Sequence, residues 1–124
     1  MDCPLWLPLV AWMGLIFCLS AQPDLPHPSN GWLDWLMSSA AHLFLFAVLA
    51  ILWARALGQG RRSWLTALAL TLLYALSDEF HQIFVSGRHA DLWDVAFDAL
   101  GAVSGLAGWV WLRRRISISP KSRS

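Results

Sequence analysis

Charged residues are scarce in this sequence. Only 14% of its 124 residues are charged and 57% are apolar, whereas about a quarter of the residues of an ordinary soluble protein are charged. Each helix of a soluble bundle needs a polar outer stripe, yet residues 40–54 contain His42 as their one polar residue. The composition therefore excludes disorder, collagen and coiled coil, and it argues against a soluble bundle.

Cysteine is also rare, with only Cys3 and Cys18 present. The two lie near opposite ends of the first apolar block, and a helical rise of ~1.5 Å per residue keeps them too far apart to pair. The sequence is therefore not a disulfide scaffold. We expect neither internal repeats nor a second domain within these residues.

The hydrophobic residues are concentrated in four blocks, 5–21, 32–54, 64–85 and 92–112. Each is close to the ~20 residues that an α-helix needs to cross a bilayer. Because backbone groups inside a membrane must be hydrogen-bonded within their own segment, these blocks predict helices rather than strands. We expect the first block to stay as a helix, since no basic segment of a cleaved signal precedes it. The predicted fold is all-α, a four-helix integral membrane bundle.

The basic residues predict its orientation. Eight of the nine Lys and Arg residues lie between the second and third blocks or after the fourth, and only Arg88 lies on the other side. The positive-inside rule then predicts a multi-pass protein of the cytoplasmic membrane with both termini in the cytoplasm. We expect residues 1–115 to form the membrane domain, 55–63 a short inner loop, and 116–124 a disordered cytoplasmic tail. The partner that this distribution indicates is the lipid bilayer, and no nucleic acid is expected.

Ionisable residues gather in the outer half of the predicted bundle. At ~1.5 Å per residue, His42 lies ~15 Å below the outer surface, Asp78 and Asp98 ~10 Å, and Asp94 ~5 Å. A charge in hydrocarbon costs at least ~2.5 kcal/mol, so these groups should face the bundle interior. This reasoning predicts a polar layer in the outer half of the membrane, with eight members: His42, Asp78, Glu79, His81, Gln82, Arg88, Asp94 and Asp98.

Helical spacing supports this layer. Asp94 and Asp98 continue on one face of the fourth helix through Gly101 and Gly105, and such a glycine pair lets a neighbouring helix approach closely. On the third helix, the spacing places Asp78, His81 and Gln82 on one face, with Glu79 about 100° round the axis.

These residues also resemble a known family. The segment 77–82, Ser-Asp-Glu-Phe-His-Gln, followed by Phe84, Val85, Gly87 and Arg88, is similar to the signature of VanZ-like membrane proteins. The same is true of residues 19–23, Leu-Ser-Ala-Gln-Pro, and of His42, Asp94, Gly101 and Gly105.

The resemblance implies a small bacterial four-helix membrane protein with a role in the cell envelope. The family is named for a protein that gives low-level antibiotic resistance to teicoplanin, a glycopeptide acting on the outer face of the cytoplasmic membrane. Three positions depart from the family pattern: Ser39 replaces a common Lys, Phe46 a frequent Tyr, and Asp98 a usual Asn. The missing Lys and the added acid make the polar layer of this chain more negative.

Several uses of the polar layer remain open from the residues alone. It could be structural, with buried polar groups paired across helices, or it could bind a lipid-linked or other envelope ligand from the outer leaflet. Arg88 would suit phosphate or carboxylate, and the acids would suit amines. A proton relay is a further alternative, although the inner halves of the helices carry no matching groups.

A metal-dependent membrane hydrolase acting on a lipid-linked substrate is the remaining alternative. Its divalent metal would be held among His42, Asp78, His81 and Asp94, with Glu79 as the candidate catalytic base. The spacing of Asp78 and His81 is not that of a zinc protease, so a metal cofactor is not favoured. The sequence leaves the ligand, any enzymatic activity and the oligomeric state open.

Overall fold

The computed structural model describes residues 5–21, 31–85 and 92–118. They form four α-helices: α1 (Trp6–Ser20), α2 (Gly31–Leu57), α3 (Arg61–Gln82) and α4 (Leu92–Ile118). For these residues the all-α prediction is confirmed.

The helix ends differ most from the prediction in two regions. The inner connection, expected at 55–63, is reduced to 58–60 because α2 and α3 both extend into it. Gly58 and Gly60 have φ angles of 99° and 112°, which glycine adopts without steric cost, so the chain reverses within three residues. At the other boundary α4 continues to Ile118, since the arginines at 113–115 are good helix formers. The first residues of the expected tail are therefore helical.

Contacts between helices define an up-down-up-down order. Trp6 at the start of α1 meets Trp53 near the end of α2, with ring centroids 5.9 Å apart, so these helices are antiparallel. Gly101 and Gly105 of α4 pack in the same order along α2, so α2 and α4 run parallel. The α2–α4 interface is the most extensive; α3 packs on both helices, and α1 packs on α2 and α3.

Two apolar clusters form the core. The first joins α1, α2 and α3 through Leu9, Ile16, Phe46, Leu49 and Ala75. The second joins α2, α3 and α4 and consists of Leu106 with four alanines, Ala50, Ala54, Ala67 and Ala102. Small residues at such an interface let helix backbones approach closely, which suits association without a large hydrophobic driving force.

Large apolar side chains also cover the outside of the bundle. Val10, Phe44, Leu73 and Trp93, one from each helix, are all at least 60% exposed. A soluble bundle presents polar residues there instead. Among the described residues, two stretches are long and apolar enough to cross a membrane: Ser39–Leu57 and Leu92–Ile116. The apolar helix α1 is shorter, with 15 residues, and α3 carries charged residues at both ends.

Candidate functional site

A hydrogen-bonded histidine–aspartate pair joins α2 to α4. His42 Nδ1 and Asp98 Oδ1 are 2.7 Å apart, with the Asp98 side chain fully buried and that of His42 13% exposed. The second carboxylate oxygen of Asp98, Oδ2, is also buried, and within the described part of the chain it has no hydrogen-bond partner. A carboxylate so placed can still accept a further hydrogen bond.

Two glycines of α4, Gly101 and Gly105, bring these side chains into reach. A Cβ atom on Gly101 would overlap the backbone carbonyl of Leu43, and one on Gly105 would lie 2.5 Å from a carbonyl oxygen of α2. Leu43 directly follows His42, and Gly101 follows Asp98 by three residues. Because the backbones nearly touch at this level, the short His and Asp side chains can bridge the two helices.

Two further carboxyl groups act on the pair. Asp78 of α3 and Asp94 of α4 both interact electrostatically with His42 and with Asp98. Asp78 is buried and Asp94 is half-buried. We call these four residues, His42, Asp78, Asp94 and Asp98, the His42 cluster. It assembles members of the predicted polar layer from three different helices.

The inward face of α3 differs from the predicted one. Asp78, Glu79 and Gln82 are all buried, so Glu79 belongs to this face and does not stand apart from it. His81 is half-buried, and its ring stacks on Phe17 of α1 with centroids 4.6 Å apart. The buried arc is wide because α3 packs against α1, α2 and α4. Simple helical spacing does not show how many neighbours a helix has, and so it did not indicate that Glu79 shares the buried face.

The predicted metal ligands do not converge. Across residues 5–21, 31–85 and 92–118 no three His, Cys, Asp or Glu side chains lie close enough to share a metal ion. Of the proposed set, His42 bonds to Asp98 while His81 stacks on Phe17. His81 Nδ1 is buried and lacks a hydrogen-bond partner among the described residues. Arg88, another predicted member of the polar layer, lies outside the described residues.

The packing role of Phe46 was not predicted from the sequence. This residue is completely buried, and its ring lies parallel to that of His42, with centroids 6.3 Å apart. The Phe46 ring also packs against the ring of Tyr74 on α3, with the two centroids 6.3 Å apart. Its position one helical turn after His42 is the signal that could have identified it. Ser39, one turn before His42, is buried as well.

Two aromatic residues connect α1 to the rest of the bundle. The Nε1–H of Trp12 donates a hydrogen bond to the carbonyl oxygen of Leu45 at 2.9 Å. The Tyr74 hydroxyl donates to the carbonyl oxygen of Met13 at 2.6 Å. Buried Trp and Tyr side chains usually require a partner for their polar atom. A tryptophan in the middle of an apolar block could therefore have indicated this contact from the sequence.

Comparison with known proteins places this arrangement in a family. No curated protein and no solved structure matches the chain. The VanZ/LLP1 family, by contrast, matches residues 5–113, a range that includes the His42 cluster, the 77–82 segment and both interface glycines. Since the match covers most of the chain, the protein belongs to the VanZ/LLP1 family.

Proposed function

We propose that this chain is a four-span protein of the cytoplasmic membrane, with both termini in the cytoplasm. The two long apolar helices, the apolar outer surface and the family membership support a membrane location. The concentration of basic residues in the 55–63 region and after the fourth block supports the orientation. In this orientation the His42 cluster lies in the outer half of the membrane.

We further propose that the His42 cluster binds an envelope ligand bearing a cationic amine, in a role that lowers sensitivity to glycopeptides such as teicoplanin. The observation that carries this proposal is the His42–Asp98 bond. Since a carboxylate accepts hydrogen bonds, His42 Nδ1 acts as the donor, and Nε2 is an acceptor whenever the ring is neutral. Asp98 thereby fixes the ring in a form that can receive an N–H group.

The charge of the cluster favours an amine over a phosphate. Three carboxyl groups interact electrostatically with one histidine, so a bare phosphate or pyrophosphate would meet like charge, whereas an ammonium group offers three donors. Asp94 and His42 are the members with exposed surface, so they would contact the ligand. Fully buried Asp98 would act as a positioning residue for His42.

The amine-binding proposal can be tested in a teicoplanin-sensitive bacterium that expresses the tagged full-length chain. We expect the wild-type protein to raise the minimal inhibitory concentration of teicoplanin, and Asp94→Asn and His42→Ala to abolish the increase at unchanged protein levels in the membrane. Ser104→Ala is the matched control, because Ser104 is an exposed polar residue on the same helix as Asp94. This variant should behave as wild type. An absence of any effect from the wild-type chain would contradict the envelope role.

A purely structural role for the pair is the second candidate, because Asp98 is fully buried beside the glycine contact. This hypothesis expects His42→Ala and Asp98→Ala to reduce protein levels and phenotype in proportion. Asp94→Asn separates the two candidates, since Asp94 lies outside the His42–Asp98 bond. The binding proposal expects this variant to lose the phenotype at an unchanged protein level, and the structural hypothesis expects neither to change. Quantitative immunoblots from the same cultures provide the protein levels.

The membrane placement has its own test. We expect the chain to stay in the membrane pellet after alkaline carbonate extraction. A fluorescent protein fused to the C-terminus should fluoresce, and alkaline phosphatase at the same position should be inactive. Active phosphatase at this position would contradict the proposed orientation and would place the His42 cluster in the inner half of the membrane.

A further inference from the structure

A groove between α3 and α4 opens at the basic end of the bundle, away from the His42 cluster. It has a volume of about 650 Å³. Its apolar walls include Trp64 and Leu68 of α3 and Val103 and Leu106 of α4, and Arg61 and Arg114 line it as well. We call it the α3–α4 groove.

The two arginines stand at the same end of the groove because α3 and α4 are antiparallel. Arg61 is the first residue of α3, and Arg114 lies in the last turns of α4. The guanidinium carbon of Arg114 sits 6.0 Å from the centroid of the Trp64 ring. This cation–π contact holds the guanidinium over the groove, and both arginines are exposed.

The length of the groove matches one leaflet of a bilayer. From Val103 to Arg114, α4 rises by about 16 Å, roughly half of the ~30 Å hydrocarbon core. The apolar side chains therefore cover the depth of a single acyl chain, and the arginines lie at the level of the lipid headgroups. Basic pockets between membrane helices on the cytoplasmic side are suited to anionic headgroups.

We propose that the α3–α4 groove binds an anionic phospholipid, with one acyl chain along its apolar wall and the phosphate between Arg61 and Arg114. The proposal rests on the membrane placement proposed above and does not depend on the His42 cluster. Arginine suits this role because its planar guanidinium can form two parallel hydrogen bonds to a phosphate.

The experiment uses the full chain purified in a maltoside detergent, with binding measured by native mass spectrometry. The probes are dioleoyl phosphatidylglycerol, dioleoyl phosphatidylcholine with the same acyl chains, and glycerol 3-phosphate as a headgroup without chains. We expect phosphatidylglycerol to bind best. Arg61→Gln and Arg114→Gln should each weaken its binding about five-fold, the contribution expected of one basic residue near an anionic surface.

Arg62→Gln is the matched control, because it removes the same charge next to Arg61 but does not line the groove. It should leave binding unchanged. Ala107→Trp fills the groove while keeping both arginines, and it should abolish the preference for phosphatidylglycerol. A His42→Ala variant should bind this lipid normally, so failure of the amine-binding proposal leaves this result intact.

Three outcomes would overturn the lipid proposal. Equal binding of the two lipids would exclude charge recognition. An effect of Arg62→Gln as large as that of Arg61→Gln would show general attraction and no defined site. Equal binding of glycerol 3-phosphate would show that the apolar wall contributes nothing, so that the site takes a free phosphate.

Discussion

Because the α2 and α4 backbones are in close contact, we expect Gly101→Ala and Gly105→Ala to lower the stability of the bundle. A Cβ atom at Gly105 would lie 2.5 Å from the Ala47 carbonyl oxygen, whereas such atoms pack best at ~3.5 Å or more. The helices must therefore separate by about 1 Å. The obstructing atoms belong to a helix backbone, so no side-chain rotation can relieve the overlap.

The energetic cost follows from two opposing effects. Overpacking costs about 1–3 kcal/mol, and a backbone obstacle places these variants near the upper limit. Replacing glycine by alanine in a helix returns about 1 kcal/mol. We therefore expect each variant to lose about 2 kcal/mol in the free energy of unfolding. A shift of this size would also stretch the 2.7 Å His42–Asp98 bond beyond hydrogen-bonding range.

Reversible unfolding in mixed detergent micelles measures this loss, and Gly108→Ala supplies the control. Gly108 lies on the same helix, and a Cβ atom there would meet nothing within 4 Å. That substitution should be neutral or stabilising by up to ~1 kcal/mol. If Gly101→Ala and Gly105→Ala were as stable as Gly108→Ala, the close approach of α2 and α4 would be refuted.

Three more predictions concern the bundle interior. A double-mutant cycle of His42→Ala and Asp98→Ala, measured by the same unfolding assay, should give a coupling free energy of about 1–2 kcal/mol; additive losses would exclude a direct interaction. Tyr74→Phe should cost about 1 kcal/mol by removing the hydrogen bond to Met13, and unchanged stability would show that this bond contributes nothing. Elemental analysis of the detergent-purified protein should find far less than one divalent metal ion per chain, because the described His and acidic residues form no metal-binding group. One metal ion per chain that a chelator removes would contradict this expectation.

Much of the fold could be predicted from the sequence because apolar blocks directly reflect the cost of exposing backbone and charge to lipid. The four helices and the contact glycines follow from such local patterns. Helix ends were less predictable: α2 continues past Arg55, since a basic residue at the end of an apolar block does not break a helix. Local patterns mark breaks in hydrophobicity more reliably than breaks in helical structure.

The candidate site was predictable in composition but not in pairing. Helical depth placed His42 and Asp98 in the same outer-half layer, but the choice of Asp98 over Asp78 as the hydrogen-bond partner of His42 depends on the distance between α2 and α4. Stacking of His81 on Phe17 depends likewise on the position of α1. Distances of this kind come from packing among several helices, and a single sequence contains no direct record of them.

The extensive interface between α2 and α4 has a consequence for biogenesis. These helices are separated along the chain by all of α3, so their glycine and alanine surfaces cannot meet until α4 has been synthesised and inserted. Before that moment α2 exposes His42 without its aspartate partner. In the proposed membrane placement, a chain that stops after α3 would leave the His42 ring in the bilayer without the carboxylate that accepts its hydrogen bond in the complete bundle.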